Sequence, residues 1–494
     1  MKDIVRKLDR AFNPRSVAVV GDKREMDYMW LRSLANFQGR VYSVQVDEKE
    51  LPGIEALGVK NYFSLLDIPE PVDYVIAAVP RAVAPKIVKD CIDKKVGGVM
   101  FFTSGFAETN TEEGIRLQEV ITEMAREADL NLIGPNCVGI FNPRIGLRHD
   151  VDQYYGDGGP VGFISQSGTH ATFFSLVGAL NGIKVSKSVS YGNAVVLDCT
   201  DYMEYLAEDE DTKVIGMYIE GVRKGRQFFT SLREIAKRKP VLIWKGGETE
   251  EGTRATASHT ASLAESPLVW DALIKQCGAI KVDSLEEMVD TIKALLYLKP
   301  TTGRRVGLCA MTGGQSVVIT DAFAKAGMEI PLLSERSYQE FASFLTIIGS
   351  SYRNPLDISS NLMPMDNIIR CIDVLNEDEN VDSVILELSV AFLTRIARFI
   401  TPFFDNLIDA VALYKARSNK PFLTILISAH AETEAMEAKQ KLVERGIPSF
   451  PSFERGAKAL KKVVEYYRFQ SLWAPRPADA DRLGGPIPSP AGQP

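Results

Sequence analysis

The chain has 494 residues, which is enough for about three domains of ordinary size. Its 57 Lys and Arg residues against 64 Asp and Glu give a net charge of −7 without a basic block, which argues against a nucleic-acid partner, and 45% hydrophobic residues exclude disorder for the bulk. No apolar run approaches the roughly 20 residues of a membrane span, and the N-terminus MKDIVRKLDRAF lacks an apolar signal-peptide centre, so we predict a cytoplasmic protein with no membrane partner.

Short apolar runs rich in β-branched residues alternate with longer helical patterns through most of the chain. They are SVAVV (16–20), VDYVIAAV (72–79), GVMFF (98–102), LNLIG (130–134), VGFIS (161–165), VIGMYIE (214–220), PVLIWK (240–245), RVGLCAM (305–311), SVILELS (383–389) and PFLTILIS (421–428). Unbroken hydrophobic strands separated by helices indicate parallel sheets covered on both faces. We therefore predict a doubly wound α/β fold with ligand sites at the carboxyl ends of its strands.

Polar and glycine-rich segments interrupt this alternation twice, at 148–160 and 297–305. They predict three units, 1–147, 158–299 and 303–472. Residues 473–494 are rich in Pro, Ala and Gly without apolar periodicity, so we predict a disordered tail there.

The six cysteines are far apart and form no CxxC pair. This spacing argues against a disulfide framework, a zinc site or an iron–sulfur centre, so we predict ordinary reduced thiols and no metal site in this chain.

Two strands run into helices through small residues and predict anion sites. Ser165, Gln166, Ser167 and Gly168 follow VGFIS, and Gly313 to Ser316 follow RVGLCAM. Unpaired backbone N–H groups at such a helix start attract phosphate, although small residues also make ordinary helix caps. Two such turns in one chain point to phosphoryl chemistry.

The four histidines differ in their surroundings. His149, His170 and His430 lie in a linker, at a helix start and after a strand, and we expect structural or solvent-facing roles for them. His259 lies in a loop of small and hydroxyl-bearing residues (252–262) downstream of PVLIWK. Small neighbours leave an imidazole accessible to a phosphoryl donor, and imidazole is a competent nucleophile near neutral pH. A structural role for His259 stays open at this point.

Glu220 ends the strand VIGMYIE and precedes Gly221. A carboxylate at a strand end can accept the N–H of a nearby imidazole and fix its tautomer. The alternative is an ordinary surface glutamate.

Taken together, an ordered set of motifs over about residues 7–470 resembles the nucleoside-diphosphate-forming acyl-CoA synthetases, the superfamily of succinyl-CoA synthetase, and in particular the α subunits of ADP-forming acetate–CoA ligases. The motifs are LDRAFNPRSVAVVG (8–21), GFAE (105–108), GPNCVGI (134–140), GFISQSG (162–168), YGNAVVLDCTDYMEYLAED (191–209), YIEG (218–221), ASHTAS (257–262), MTGGQS (311–316) and NPLDI (354–358). The resemblance implies a Rossmann-like CoA-binding domain followed by two flavodoxin-like domains.

The resemblance also implies a reaction. Acyl-CoA and phosphate would give an acyl phosphate, which phosphorylates His259, and the phosphohistidine would then make ATP from ADP. Glu220 would orient the imidazole. The phosphoryl group would be held by Ser165, Gln166, Ser167 and Gly168 together with Gly314, Gln315 and Ser316.

By the same resemblance, CoA would be bound as a substrate by loops of the first domain. Their residues are Gly21, Lys23, Val79, Pro80, Thr103, Ser104, Gly105, Asn136 and Cys137. The first loop reads Gly21-Asp22-Lys23-Arg24-Glu25, where family members usually carry a Gly- and Ser-rich loop. Lys23, Arg24 and Lys49 are the candidates for contact with the phosphates.

An ATP-grasp nucleotide domain needs roughly another 200 residues, whereas all three units are already assigned. We therefore expect ATP, ADP and Mg²⁺ to bind a separate ATP-grasp β subunit of a hetero-oligomer, and a small carboxylic acid or acyl-CoA to be the other substrate.

Two other hypotheses about the function stay open. One is a non-catalytic CoA- or acyl-CoA-binding or regulatory protein of the same fold. The other is a nicotinamide-dependent oxidoreductase, which the missing GxGxxG fingerprint disfavours.

Overall fold

The computed structural model describes residues 3–260, 266–398 and 402–473, and the side chains of 257–260 are outside this description. The described strands form three sheets with helices packed on them, which confirms the predicted doubly wound α/β class. No helix within the described ranges is both long and apolar enough to cross a bilayer.

The first sheet has six parallel strands. They are β1 (Ser16–Val20), β2 (Arg40–Val44), β3 (Lys60–Tyr62), β4 (Tyr74–Ala77), β5 (Gly98–Phe101) and β6 (Leu132–Ile133), and the helices are α1 (Asp3–Phe12), α2 (Met29–Ser33), α3 (Leu51–Ala56), α4 (Ala84–Lys94) and α5 (Glu112–Glu127). The order β3-β2-β1-β4-β5-β6 is that of the Rossmann fold. Strand β1 is covered on both faces, because its alternate residues belong to two separate hydrophobic cores. One core contains Val17 and Val19, and the other contains Ala18 and Val20.

The second sheet also has six strands. They are β7 (Gly139–Phe141), β8 (Val161–Ser165), β9 (Val185–Ser190), β10 (Val214–Ile219), β11 (Val241–Lys245) and β12 (Ile280–Val282), with helices α6 (Gly168–Ala179), α7 (Cys199–Glu208), α8 (Gly225–Ala236), α9 (Glu250–Thr260), α10 (Pro267–Cys277) and α11 (Leu285–Tyr297). In the order β12-β11-β10-β8-β9-β7, strands β8 to β12 are parallel and follow the flavodoxin-like succession. Strand β7 pairs antiparallel with β9 at the sheet edge.

The third sheet has five parallel strands. They are β13 (Val306–Ala310), β14 (Leu356–Asp357), β15 (Ser383–Ser389), β16 (Phe422–Ile427) and β17 (Ser449–Phe450), with helices α12 (Gly313–Lys325), α13 (Glu335–Phe344), α14 (Asp366–Glu377), α15 (Val390–Ala397), α16 (Phe403–Arg417), α17 (Glu432–Glu444) and α18 (Phe453–Trp473). Its order β14-β13-β15-β16-β17 repeats the flavodoxin-like succession.

Charged side chains join the second and third sheets through α11 and α18, which pack against each other. The carboxylate of Asp290 pairs with Lys293 at 3.3 Å and with Arg455 at 2.5 Å, and Lys293 donates to the carbonyl oxygen of Ser449 at 2.6 Å. Asp290 and Lys293 are buried, so this contact is a desolvated ionic network.

Two details differ from the sequence expectation. Strand β7 precedes residue 147 yet pairs in the second sheet and is antiparallel, because the chain crosses between the sheets there and returns along an edge strand. Trp473 is the last residue of α18, whereas the tail was predicted to begin at 473. Residues 474–494 lie outside the described residues, and the domain boundaries stay predictions.

Candidate functional site

The residues predicted to hold phosphate in the second unit form the turn between β8 and α6. Strand β8 ends at Ser165 and α6 begins at Gly168. The Ser165 hydroxyl donates to the carbonyl oxygen of Ser167 at 2.6 Å, and the Ser167 hydroxyl accepts the backbone N–H of His170 at 3.4 Å. The chain thus builds the helix N-terminus that the sequence predicted, a position suited to an anion.

Gln166 connects this turn to the end of β10. Its side-chain oxygen accepts the backbone N–H of Glu220 at 2.9 Å and that of Gly221 at 3.2 Å. Both Gln166 and Glu220 are buried. Because the amide oxygen is committed to the backbone, only the amide nitrogen of Gln166 remains for the predicted phosphate contact.

Two further hydrogen bonds hold Glu220 in place. The Tyr218 hydroxyl donates to its carboxylate at 3.2 Å. The buried Lys245 ammonium donates to the carbonyl oxygens of Glu220 at 2.8 Å and of Gly246 at 2.7 Å. These contacts tie the ends of β10 and β11 together, and the sequence analysis did not identify Tyr218 or Lys245.

His259 lies in helix α9, and its side chain is outside the described residues. We predicted a loop over 252–262, and that prediction was wrong for 252–260, because alanines and two acidic residues in the first turn favour a helix. The helix begins after the Gly246-Gly247 turn, where the Thr253 hydroxyl donates to the carbonyl oxygen of Gly247 at 3.0 Å. It packs against the turn Ala107–Thr109 of the first unit. Residues 261 and 262 of the quoted motif are outside the described residues.

The β8–α6 turn lies beside the GPNCVG loop of the first unit. A Cβ on Gly168 would lie 3.1 Å from the Val138 side chain, and the Val138 N–H donates to the Ser190 hydroxyl at 3.3 Å. A Cβ on Gly192 would lie 2.2 Å from the carbonyl oxygen of Pro135, so only glycine permits this close approach of the two units.

Asn193 connects three of the quoted motifs, although the sequence analysis gave it no role. Its amide nitrogen donates to Glu108 at 2.6 Å and to Gln118 at 3.0 Å, and its backbone N–H donates to the carbonyl oxygen of Pro135 at 3.0 Å. Its carbonyl oxygen accepts from Arg223 at 2.9 Å. The motifs YGN, GFAE and GPNC were the available signal, and the fold brings all three to one place.

A cavity of about 400 Å³ lies at the carboxyl ends of β1, β2 and β4. It is lined by four of the predicted CoA-binding residues, which are Gly21, Lys23, Val79 and Pro80. The exposed apolar side chains of Val46 and Phe63 also line it. Two lysines, Lys23 and Lys86, and two carboxylates, Asp47 and Asp90, complete the wall. The apolar surface suits a nucleotide base, and the lysines suit phosphates.

The remaining predicted CoA-binding residues continue from this cavity towards the second unit. Thr103, Ser104 and Gly105 follow β5, and the Thr103 hydroxyl donates to the carbonyl oxygen of Val79 at 2.5 Å. The Asn136 N–H donates to the carbonyl oxygen of Thr103 at 3.0 Å. The fold thus brings these loops together, while their contact with CoA stays a prediction.

Cys137 is buried, and its thiol faces the carbonyl oxygens of Phe101 and Ile133. Burial raises the pKa of this thiol to about 12, so it stays protonated near neutral pH. A contact of this residue with CoA would therefore have to use its backbone. All six cysteines are free, and all are buried.

Asp22 occupies the first loop with its own carboxylate. It accepts the backbone N–H of Lys23 at 3.1 Å and that of Leu31 at 2.9 Å, and burial raises its pKa to about 6. The backbone N–H of Lys23 in this loop and that of Leu31 in α2 are thus used within the chain.

In the third unit, Gly314, Gln315 and Ser316 lie in the first turn of α12. Two carboxylates lie close by, which the sequence analysis missed. A Cβ on Gly313 would lie 2.8 Å from the Asp357 carboxylate, and buried Glu387 accepts the backbone N–H of Met311 at 2.6 Å. Burial raises the pKa of Glu387 to about 7. In the described part of the chain, no hydrogen bond joins this turn to the β8–α6 turn.

The other histidines have the predicted kinds of surroundings. Buried His149 contacts Thr172 and Gln153 through Nε2 at 3.1 and 3.0 Å, and burial lowers its pKa to about 4. His170 packs against aromatic rings, and His430 is exposed.

Comparison with known proteins relates both the fold and these motifs to one enzyme family. A model of a CoA binding domain matches residues 15–143, and a model of the succinyl-CoA ligase like flavodoxin domain matches residues 158–295. The α subunit of acetate–CoA ligase [ADP-forming] II of Pyrococcus furiosus is 34% identical over 93% of this chain and 97% of its own length, and the isoenzyme I α subunit is 31% identical over 94% and 98%.

A longer relative and a solved structure agree with this. Acetate–CoA ligase [ADP-forming] I of Archaeoglobus fulgidus is 35% identical over 76% of this chain, and the match spans 54% of that protein. The dinucleotide-forming acetyl-coenzyme A synthetase 1 of Ca. Korarchaeum cryptofilum, solved with phosphate and ADP, superimposes with a TM-score of 0.80 at 29% identity over 94% of this chain and 97% of that chain.

Proposed function

This chain belongs to the family of the α subunits of ADP-forming acetate–CoA ligases, and we propose that it is the α-like subunit of an ADP-forming acyl-CoA synthetase. Such an acid–thiol ligase interconverts acyl-CoA, ADP and phosphate with a carboxylic acid, CoA and ATP.

The proposed reaction has three balanced steps. Phosphate attacks the acyl carbon of acyl-CoA, the thioester bond breaks, and CoA leaves as an acyl phosphate forms. An imidazole nitrogen of His259 then attacks the phosphorus, the bond between phosphorus and the acyl oxygen breaks, and the carboxylate leaves. Finally the phosphoryl group passes from His259 to the terminal phosphate of ADP, which gives ATP and free histidine.

The observation that carries this proposal is the anchoring of Glu220 beside the β8–α6 turn. Gln166 fixes the Glu220 backbone, and the same turn presents a helix N-terminus next to the GPNCVG loop. Glu220 would orient the His259 imidazole and stabilise its charged form during phosphoryl transfer. Ser165, Ser167 and Gly168 would hold the phosphoryl group at the helix N-terminus, and Gly314, Gln315 and Ser316 would hold it at the second turn.

We further propose that the nucleotide site lies on a separate ATP-grasp β subunit, which binds ATP or ADP with Mg²⁺. The names of the two Pyrococcus relatives as α subunits support a partner chain, and the matched half of the longer Archaeoglobus protein agrees with a divided enzyme. The complex would be a cytoplasmic hetero-oligomer, with CoA in the cavity next to Lys23 and Pro80.

The direct test is phosphorylation of His259. With an ATP-grasp partner, Mg²⁺ and radiolabelled ATP, the chain should acquire an acid-labile, base-stable phosphate that is absent in His259→Ala. Exposed His430 provides the matched control, since His430→Ala should be labelled like the unaltered protein. Label that persists in His259→Ala, or that maps to a serine, contradicts the proposal.

The partner is tested by CoA-thioester formation from ATP and a panel of carboxylic acids. The chain alone should give no thioester, and addition of the ATP-grasp subunit should produce it. Robust turnover by the chain alone would show that it contains its own nucleotide site.

The second candidate is a non-catalytic protein that binds CoA or acyl-CoA. The Asp22 carboxylate favours this candidate, because it accepts the backbone N–H groups of Lys23 and Leu31, which are then not available to a ligand. Calorimetric CoA binding without any labelling of His259 in the assembled complex would select this candidate over the ligase subunit.

A further inference from the structure

Three aromatic rings pack together at the carboxyl edge of the second sheet. The ring centroids of His170 and Tyr218 are 4.4 Å apart, those of His170 and Trp244 are 4.5 Å apart, and those of Tyr218 and Trp244 are 4.7 Å apart. The three residues come from α6, β10 and β11, so each ring is held by a different element. We call these residues the aromatic triad.

The triad lies on the same face of the sheet as the Glu220 side chain. Residues 218 and 220 are two apart along the end of β10, so their side chains point to one face. Tyr218 and Trp244 pack against the hydrophobic core that contains Met288 and Ile292 of α11, whereas Ile219 belongs to the core of the opposite face.

The Tyr218 hydroxyl is enclosed between two parts of the proposed site. It donates to the Glu220 carboxylate at 3.2 Å, and a Cβ on Gly246 would lie 2.6 Å from it. Gly246 begins the turn that leads into α9, the helix of His259. The hydroxyl therefore reaches both the carboxylate and the base of the turn only because residue 246 is glycine.

The Tyr218 hydroxyl remains protonated and can donate its hydrogen bond to Glu220 at neutral pH. Burial, together with the nearby negative charge of Glu220, raises the pKa of Tyr218, so the hydroxyl keeps its proton throughout the neutral range. His170 is half-buried, burial lowers its pKa, and its Nδ1 has no hydrogen-bond partner among the described residues. The negative charge of Glu220 opposes this lowering of the His170 pKa, and the imidazole ring packs on Tyr218 and Trp244.

We propose that Tyr218 is a positioning residue for Glu220, and that His170 and Trp244 hold the Tyr218 ring in the orientation this requires. The inference rests on the proposed function, because it assigns Tyr218 a role in phosphorylation of His259 through the carboxylate. Without a hydrogen bond to its carboxylate, the flexible Glu220 side chain would sample several rotamers. A hydrogen bond from a locked phenol selects one of them and leaves it ready to meet an imidazole.

The test is a double-mutant cycle that measures the initial rate of phosphate transfer from radiolabelled acetyl phosphate to the full-length chain. Tyr218→Phe should lower the maximal rate constant of labelling by about tenfold, the effect expected for a lost hydrogen bond to a charged group. The acetyl phosphate concentration that gives half of the maximal rate should stay within about twofold. In the Glu220→Ala background the same substitution should change the rate by less than about twofold, because that background has no side-chain acceptor for the Tyr218 hydroxyl to position.

Tyr202→Phe is the matched control. Tyr202 is buried on the opposite face of the same sheet, and its hydroxyl has no partner among the described residues, so this variant should keep the rate of the unaltered chain. Similar thermal unfolding of the two Phe variants would show that Tyr218→Phe is folded. An equal fold-loss from Tyr218→Phe in both backgrounds would indicate a merely structural role and overturn the inference.

Ring packing is tested separately at His170. His170→Phe keeps a flat ring and should retain most of the rate, whereas His170→Ala should lower it several-fold. A complete loss in His170→Phe would assign the chemistry to the imidazole and overturn the packing role. If the unaltered chain itself acquires no acid-labile label, the proposed function fails, whereas normal labelling with an unaffected Tyr218→Phe variant overturns only the present inference.

Discussion

The side-chain oxygen of Gln166 holds the backbone of Glu220 in place, accepting its N–H at 2.9 Å across the carboxyl ends of β8 and β10. One residue thereby belongs to the helix start proposed to bind phosphate and also fixes the residue proposed to orient the imidazole. The two functions are coupled through a single amide group.

Two substitutions of Gln166 should separate these functions. Gln166→Leu leaves the N–H groups of Glu220 and Gly221 without an acceptor, so we expect phosphorylation of His259 to fall about ten- to a hundredfold and the thermal midpoint to drop. Gln166→Glu keeps an acceptor but adds negative charge where phosphate is proposed to bind, so its main effect should be a raised KM for phosphate. Phosphate-dependence of the rate and thermal unfolding measure both. Unaltered KM in Gln166→Glu would contradict the phosphate role.

Asn193 should contribute to the joint between the first and second units. In the unaltered chain the Asn193 amide nitrogen is 2.6 Å from the Glu108 carboxylate. Asn193→Asp replaces this donor with a second carboxylate, so we expect a loss of about 2–3 kcal/mol in unfolding free energy and weaker CoA binding. Urea denaturation and calorimetry measure these. Asn406→Asp, at an exposed position of α16, should change stability by less than about 0.5 kcal/mol. Equal effects of the two substitutions would rule out the role of Asn193.

His149 should make the protein acid-sensitive. Its pKa is about 4 in the folded chain, below the 6.5 of a free histidine, because burial disfavours the charged form. The unfolded chain therefore binds more protons between pH 6.5 and 4, and stability is lost as the pH falls through this window, by about 3 kcal/mol in total. Urea denaturation at pH 7, 5 and 4 should show a shallower loss for His149→Asn than for His430→Asn. Identical slopes would contradict this assignment.

The ionic network between α11 and α18 should depend on Asp290. Burial lowers the pKa of Lys293 to about 8, and the charge of Asp290 opposes this shift. The folded chain therefore loses this proton at lower pH than the unfolded chain, so stability should rise between pH 8 and 10.5.

Asp290→Asn leaves Lys293 and Arg455 without their shared carboxylate and should lower the unfolding free energy by about 3 kcal/mol. Asp271→Asn, which breaks an exposed pair with Lys281, should cost less than about 1 kcal/mol. Chemical denaturation compares the two, and equal losses would refute the network.

The fold class and the order of the loops could be predicted from the amino-acid sequence. Runs such as SVAVV and VGFIS are β-branched and unbroken, a local property that specifies buried parallel strands, and the observed strands lie where these runs predicted them. The turns at 165–168 and 313–316 could also be predicted, because a strand that passes through small residues into a helix is a local sequence pattern. The ordered motifs sufficed to identify the family.

Which side chains contact each other could not be predicted from the sequence and follows from the packing of the elements. Gln166 and Glu220 are 54 residues apart, and Asn193 and Glu108 are 85 apart, so their contacts depend on which strands become neighbours and not on any local pattern. The same holds for the aromatic triad, for the antiparallel β7 and for Asp22, whose carboxylate fills the first loop only once α2 folds back towards it. Local sequence sets the elements, whereas packing of distant elements sets the geometry and desolvation on which the chemistry of the site depends.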